Sequence, residues 1–186
     1  MEKIEFTYDN KKKKKYFYSV FLPPLLIQIF IISPLMLWYF GTDNFTALVN
    51  SFIGLFFYMA IWTYLPASIL FYRYYNLLKN ISLKREGQNY IFSYDGQTIY
   101  FTLEDIVEIK LYLTPIKYDD RTDFVFWGRY FYFSIYLNTG SVIHIPCLLL
   151  DNVDVLGKNH IKKVKKVFPL SPHRPHLIQR NEDVTG

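Results

Sequence analysis

The side chains able to do chemistry are few and scattered. His144 and Cys147 stand three apart around Pro146, the right types for a metal ligand pair or an activated thiol. A compact metal site needs several such groups together, and His160, His173 and His176 have no recognised ligand spacing. Cys147 has no activating partner near it in sequence and reads as a small buried hydrophobe. Asp119, Asp120 and Asp123 read as a solvated acidic loop with weak affinity for a cation. The chain contains no Gly-rich phosphate loop and no G-x-S-x-G elbow. Nothing supports enzyme activity, and no metal or cofactor is expected.

Cations are the next candidates. The 186 residues hold 21 Lys+Arg against 16 Asp+Glu, but Lys11, Lys12, Lys13, Lys14 and Lys15 alone account for the excess. The basic balance is therefore local and does not point to nucleic acid. Those five lysines and Arg73 flank an apolar stretch and suit contact with anionic headgroups, each cation near the surface contributing about a kcal/mol. A second set, Lys158, Lys162, Lys163, Lys165 and Lys166, suits the inner leaflet, an acidic partner, or simply a solvated face. The aromatic run Phe124–Tyr136 includes Trp127, Arg129 and Tyr130, residue types that dominate binding hot spots. The expected partner face is thus Trp127, Arg129, Tyr130, Lys162, Lys163 and Lys166.

The elements that must position these groups are two. From Tyr16 to Tyr72 the only formal charge is Asp43, whereas an average soluble stretch is about a quarter charged. The cluster Gly41-Thr42-Asp43-Asn44 divides it into Tyr16–Phe40 and Phe45–Tyr72, each longer than the roughly 20 residues that cross a bilayer. This predicts a transmembrane hairpin. Lysine and arginine flank both outer ends and are absent from the loop, so both termini are expected in the cytoplasm. Aromatic residues mark the interfaces: Tyr16, Phe17, Tyr18, Tyr72, Tyr74 and Tyr75 inside, Trp38, Tyr39 and Phe40 outside. The apolar stretch is too long for a cleaved signal peptide. Pro23-Pro24, Pro34 and Pro66 kink or end helical segments, and Gln28 and Asn50 serve helix packing. With no ionisable group inside, two helices are too few to enclose a pathway unless the chain forms a homo-oligomer.

From about Ile81 the pattern turns to strands. Gln88–Tyr94 and Gln97–Leu103 flank Asp95-Gly96, a strong two-residue hairpin signal. Glu104–Ile109 comes next and leads into Lys110–Leu113, and Thr114–Asp123, with Pro115 and its acidic cluster, is a loop or a loosened edge. Phe124–Leu137 is two strands, or one bent at Gly128. Asn138-Thr139-Gly140 turns the chain into Ser141–Ile145. Asp151–Phe168 reads as an amphipathic helix with lysines toward its C-terminus, stopped by Pro169 and Pro172. Ser171–Gly186 reads as a flexible tail.

The order Thr102-Leu103-Glu104-Asp105-Ile106-Val107-Glu108-Ile109, then Asn138-Thr139-Gly140, then Ile143-His144-Ile145-Pro146 and a closing helix resembles bacterial pleckstrin-homology-like domains. It is most similar to the membrane-anchored YcxB-type group. Asp105, Ile106 and Ile109 fit that group's strand-entry step; Gly140, Ile145 and Pro146 fit its last strand. Leu103 stands where the group often has Trp and is expected to fill the same core position. The resemblance implies an α+β membrane protein. Residues 1–15 form a basic cytoplasmic N-terminus and 16–80 the hairpin. A PH-like antiparallel barrel or sandwich capped by a C-terminal helix spans 81–168, followed by a tail over 169–186. The chain as a whole reads as a non-catalytic inner-membrane scaffold or tether that binds a protein or lipid partner, with the bilayer as its first partner. Other readings are an immunity protein that neutralises a toxin at the membrane, and an accessory subunit of a membrane complex.

Overall fold

The computed structural model of the chain describes residues 3–40, 45–121, 126–157, 161–170 and 175–178. After a first strand β1 (Lys3–Phe6), two helices dominate the N-terminal half: α1 (Asn10–Tyr39) and α2 (Thr46–Leu78). Both are long and apolar enough to cross a membrane. The expected turn at 41–44 lies outside the described residues. Helical periodicity survives the internal prolines because each is preceded by a wide, π-type turn, at Lys14–Tyr18, Gln28–Ile32 and Ala60–Tyr64. A proline has no N–H for the carbonyl four residues back and its ring crowds that carbonyl; a widened turn relieves the conflict. The Ser33 hydroxyl helps by donating to the Gln28 carbonyl at 2.7 Å. Gln28 lies on the buried row of α1 with Val20 and Pro24, four residues apart, while Asn50 is exposed.

The other half is two four-stranded sheets. The first has the order β1-β2-β3-β4, all antiparallel, with β2 (Ile81–Glu86), β3 (Asn89–Tyr94) and β4 (Gln97–Thr102). The second has the order β7-β6-β5-β8, with β5 (Ile106–Leu113), β6 (Tyr132–Leu137), β7 (Val142–Pro146) and β8 (Ile161–Lys165). Asp95-Gly96 turns β3 into β4 with both residues at positive φ, 49° and 82°, as a tight primed turn requires. The 114–123 loop contains one helical turn, α3 (Pro115–Tyr118), and Gly128 sits in a single 3-10 turn, Phe126–Arg129, rather than in a strand.

Among the described residues of the span Asp151–Phe168, the expected closing helix is replaced by a 3-10 turn and a strand. Val153 and Leu156 bury themselves from one 3-10 turn, and Gly157 at φ 87° breaks the helical path. Ile161–Lys165 then pairs parallel with β5, Ile109 opposite Ile161. Without it that edge of β5 would be bare, and a lysine-rich edge strand resists unwanted pairing. Leu103 is 38% exposed and fills no core position. Within 169–186, expected to be a flexible tail, His176 exchanges backbone bonds with Val142 at 2.6 and 2.9 Å. The N-terminus is likewise engaged: Lys3 to Phe6 pair with Glu86 to Leu83.

One core runs through both halves. Tyr16, Val20, Ala67, Leu70, Tyr74 and Leu77 from the helices join Leu83, Phe92, Ile109, Phe133, Ile143, Cys147 and Leu148 from the sheets. The N-terminal part of α1 and the C-terminal part of α2 thus supply the helical layer that the sequence suggested for residues 151–168.

Candidate functional site: the junction of helices and sheets

Three donors from one short stretch of the sheet half reach the two helices. Pro66 leaves the Trp62 carbonyl without its normal partner four residues on, and the Trp127 indole Nε1 donates to that carbonyl at 3.1 Å. The Tyr130 hydroxyl donates to the Tyr16 carbonyl, which lies in the wide turn Lys14–Tyr18. The Arg129 guanidinium donates to the Ser19 hydroxyl at 2.8 Å. The stretch is itself held from behind: the buried Thr114 hydroxyl donates to the Gly128 carbonyl at 2.8 Å and caps α3. Backbone irregularities of the helices are therefore met by side chains of residues 127–130.

The lysine run sits at the N-terminus of α1, the end a helix dipole makes unfavourable for cations. Local acids offset this. Asp9 caps the helix, accepting from the Lys12 N–H at 2.8 Å, and Lys15 pairs with Asp151 at 2.8 Å. The Lys12 ammonium turns inward and donates to the carbonyls of Thr7 and Leu149. Lys11, Lys13 and Lys14 are exposed. Arg73 is half-buried, and its buried Nε has no hydrogen-bond partner among the described residues. So Lys12 and Lys15, two of the lysines expected at a headgroup surface, hold the helix to Leu149 and Asp151 in the segment that follows β7.

The residues expected at a partner face have different surroundings. Tyr130 is fully buried, a correction that follows from its ring packing between Tyr16 and Tyr74. Trp127 is half-buried and meets Phe168 edge-on at 5.6 Å; Arg129 is exposed. Lys162 and Lys163 are exposed on β8, Lys162 lying 4.0 Å from Glu108. Lys166 is half-buried, its ammonium 3.1 Å from the Tyr132 hydroxyl and over the Tyr112 ring. Lys158 lies outside the described residues.

The groups singled out for chemistry are dispersed. His144 Nδ1 lies 2.8 Å from the Ser134 hydroxyl, and burial lowers the imidazole to about 4. Burial raises the Cys147 thiol to about 12, so it stays protonated. Asp119 pairs with Lys165 at 2.8 Å, which lowers its carboxyl, and Asp120 sits at positive φ. Asp123, His160 and His173 lie outside the described residues. Among the described residues no three metal-ligating side chains converge.

Sequence reading missed Asp151, the acid that answers the lysine run, and Tyr16 and Tyr74, which it placed at a lipid interface. Their buried role has no local signature, since an interfacial Tyr and a core Tyr look alike in sequence. The quoted motif residues prove structural. Asp105 accepts from the Thr102 N–H at 2.8 Å and from Asn138 Nδ2 at 3.0 Å, binding two turns together. Ile106, Ile109, Ile145 and Pro146 are buried.

No curated protein and no solved structure matches the chain. A family model described as a PH domain matches residues 5–158, a range that takes in both long helices as well as strands β2 to β7. With most of its length inside that match, the chain belongs to the PH domain family, whose members are generally non-catalytic binding modules.

Proposed function

We propose that this protein is a bacterial inner-membrane scaffold. Its two long helices cross the bilayer as a hairpin with both termini in the cytoplasm, and its PH domain holds a protein or lipid partner close to the membrane. The observation that carries the reading is the division of the helices into two zones. Beyond the junction they present bulky apolar side chains outward, from Phe30 and Ile31 to Phe56 and Phe57. Such a surface needs lipid or protein cover. Below it their other face is part of the domain core. A scaffold built this way presents its β half at a fixed place rather than on a loose leash.

Topology is tested with single-cysteine labelling in intact cells, in a Cys147→Ser background. Tyr39→Cys at the loop end is expected to react with a membrane-impermeant maleimide from outside. Lys163→Cys is expected to react only after the membrane is opened. Reaction of both from the same side, or release of the protein by alkaline carbonate, would overturn the membrane reading. Crosslinking and pull-down of the full-length chain from native membranes then identifies the partner.

A further inference from the structure

The level at which the sheets meet the helices says where the domain lies against a bilayer. This step rests on the membrane reading above. Trp62 lies sixteen residues beyond Thr46, the loop end of α2, about 24 Å at 1.5 Å per residue. The hydrocarbon core alone is about 30 Å thick. With Thr46 at the outer border of the hydrocarbon, Trp127, bonded to the Trp62 carbonyl, therefore lies within about 6 Å of the inner border. Further down α2, Leu65, Ile69 and Tyr72 are still 55%, 41% and 67% exposed. At the same depth Ala67, Leu70 and Tyr74 pack into the domain. One side of the helix thus remains apolar and uncovered while the sheets cover the other side.

The part of the β half at this depth has the character of an interface. Phe168 packs on Trp127, and Val167 beside it is 73% exposed. Cations neighbour these groups along the chain and in α3: Arg129 bound to Ser19, Lys117 with its ammonium over the Phe131 ring, and Lys166 on the Tyr132 hydroxyl. Aromatic rings with Arg and Lys beside them match the headgroup layer of an anionic leaflet. Lys12 does not share this level, because it lies seven residues before Ser19, about 10 Å further from the bilayer.

We propose that the rim formed by Trp127, Val167 and Phe168, together with Arg129, Lys117 and Lys166, is seated among the headgroups of an anionic leaflet. It fixes the depth and angle at which the domain is held. The chain has three tryptophans, so W38F/W62F leaves Trp127 as the sole indole while keeping the Trp62 carbonyl that it binds. The full-length double variant is reconstituted in phosphatidylcholine nanodiscs, with and without phosphatidylglycerol. Some of the lipids carry a spin label near the headgroup end of the acyl chain. The expected result is loss of Trp127 emission to the label, larger when phosphatidylglycerol is present. The companion variant W62F/W127F reports Trp38 at the loop end. Quenching of Trp38 but not of Trp127 would overturn the rim proposal, leave the membrane reading standing, and make this surface available to a protein partner. Quenching of neither would overturn the membrane reading itself. Equal quenching of Trp127 in both lipid mixtures would overturn the role given to the cations.

Discussion

At the scale of single residues, the groups that looked chemical in the sequence act as parts of the fold. His144 is held neutral by burial, its imidazole lowered to about 4 from an ordinary value near 6.5. Below pH 6.5 the unfolded chain takes up a proton that the folded chain refuses. The stability is therefore whole above pH 6.5 and falls as pH drops toward 4, by up to about 3 kcal/mol. Asp119 titrates below this window, because the hydrogen bond from Lys165 lowers its carboxyl from 3.8. Denaturant unfolding of the detergent-solubilised full chain at pH 7 and pH 5 measures the slope, and His144→Gln is expected to flatten it. An unchanged slope would assign the effect elsewhere. Asp105 makes the second prediction: Asp105→Ala leaves the Thr102 N–H and Asn138 without their acceptor, costing about 1–3 kcal/mol in the same assay. The sequence made Asp105 legible as a strand-entry residue, through its place in the Asp-Ile step. It did not reveal the bond to Asn138, which depends on a turn more than thirty residues away.

At the scale of elements, regular local signals were readable and competitive ones were not. Asp95-Gly96 names its turn because two consecutive positive φ values admit few residues. The apolar lengths of α1 and α2 name themselves too. The segment after Asp151 was misread because its apolar spacing fits one face of a helix, while the decisive influence is the open edge of β5. That edge is a tertiary demand with no trace in the lysine-rich segment itself. The prolines show how an irregularity in one element is answered by another. Pro66→Ala restores an N–H that can reach the Trp62 carbonyl, in competition with the Trp127 indole. Trp127→Phe is thus expected to lose about 1 kcal/mol in the parent chain and clearly less in the Pro66→Ala background. A thermal-melt double-mutant cycle in detergent tests this, and equal losses in both backgrounds would show that the indole does not depend on the proline.

At the scale of the whole molecule, helices and sheets share one core. Residues 81–168, which the sequence reading treated as a separable domain, lack Tyr16, Val20, Leu70 and Tyr74 from that core, as well as β1 from the first sheet. The composition boundary near Ile81 was plain in the sequence; the packing across it was not, because interfacial aromatics and core aromatics are the same residue types. Cys147, the only cysteine, lies fully buried near Tyr16 and Tyr130, its thiol raised to about 12 by burial. A thiol that is buried and protonated does not react until the core opens. Native-state maleimide labelling of Cys147, in the full-length chain and in residues 81–168 expressed alone, tests the shared core most directly. The shared core predicts a protected thiol in the full chain and rapid labelling in the shorter piece. Equal protection in both would mean that the β half closes its own core and that the helices are only a tether.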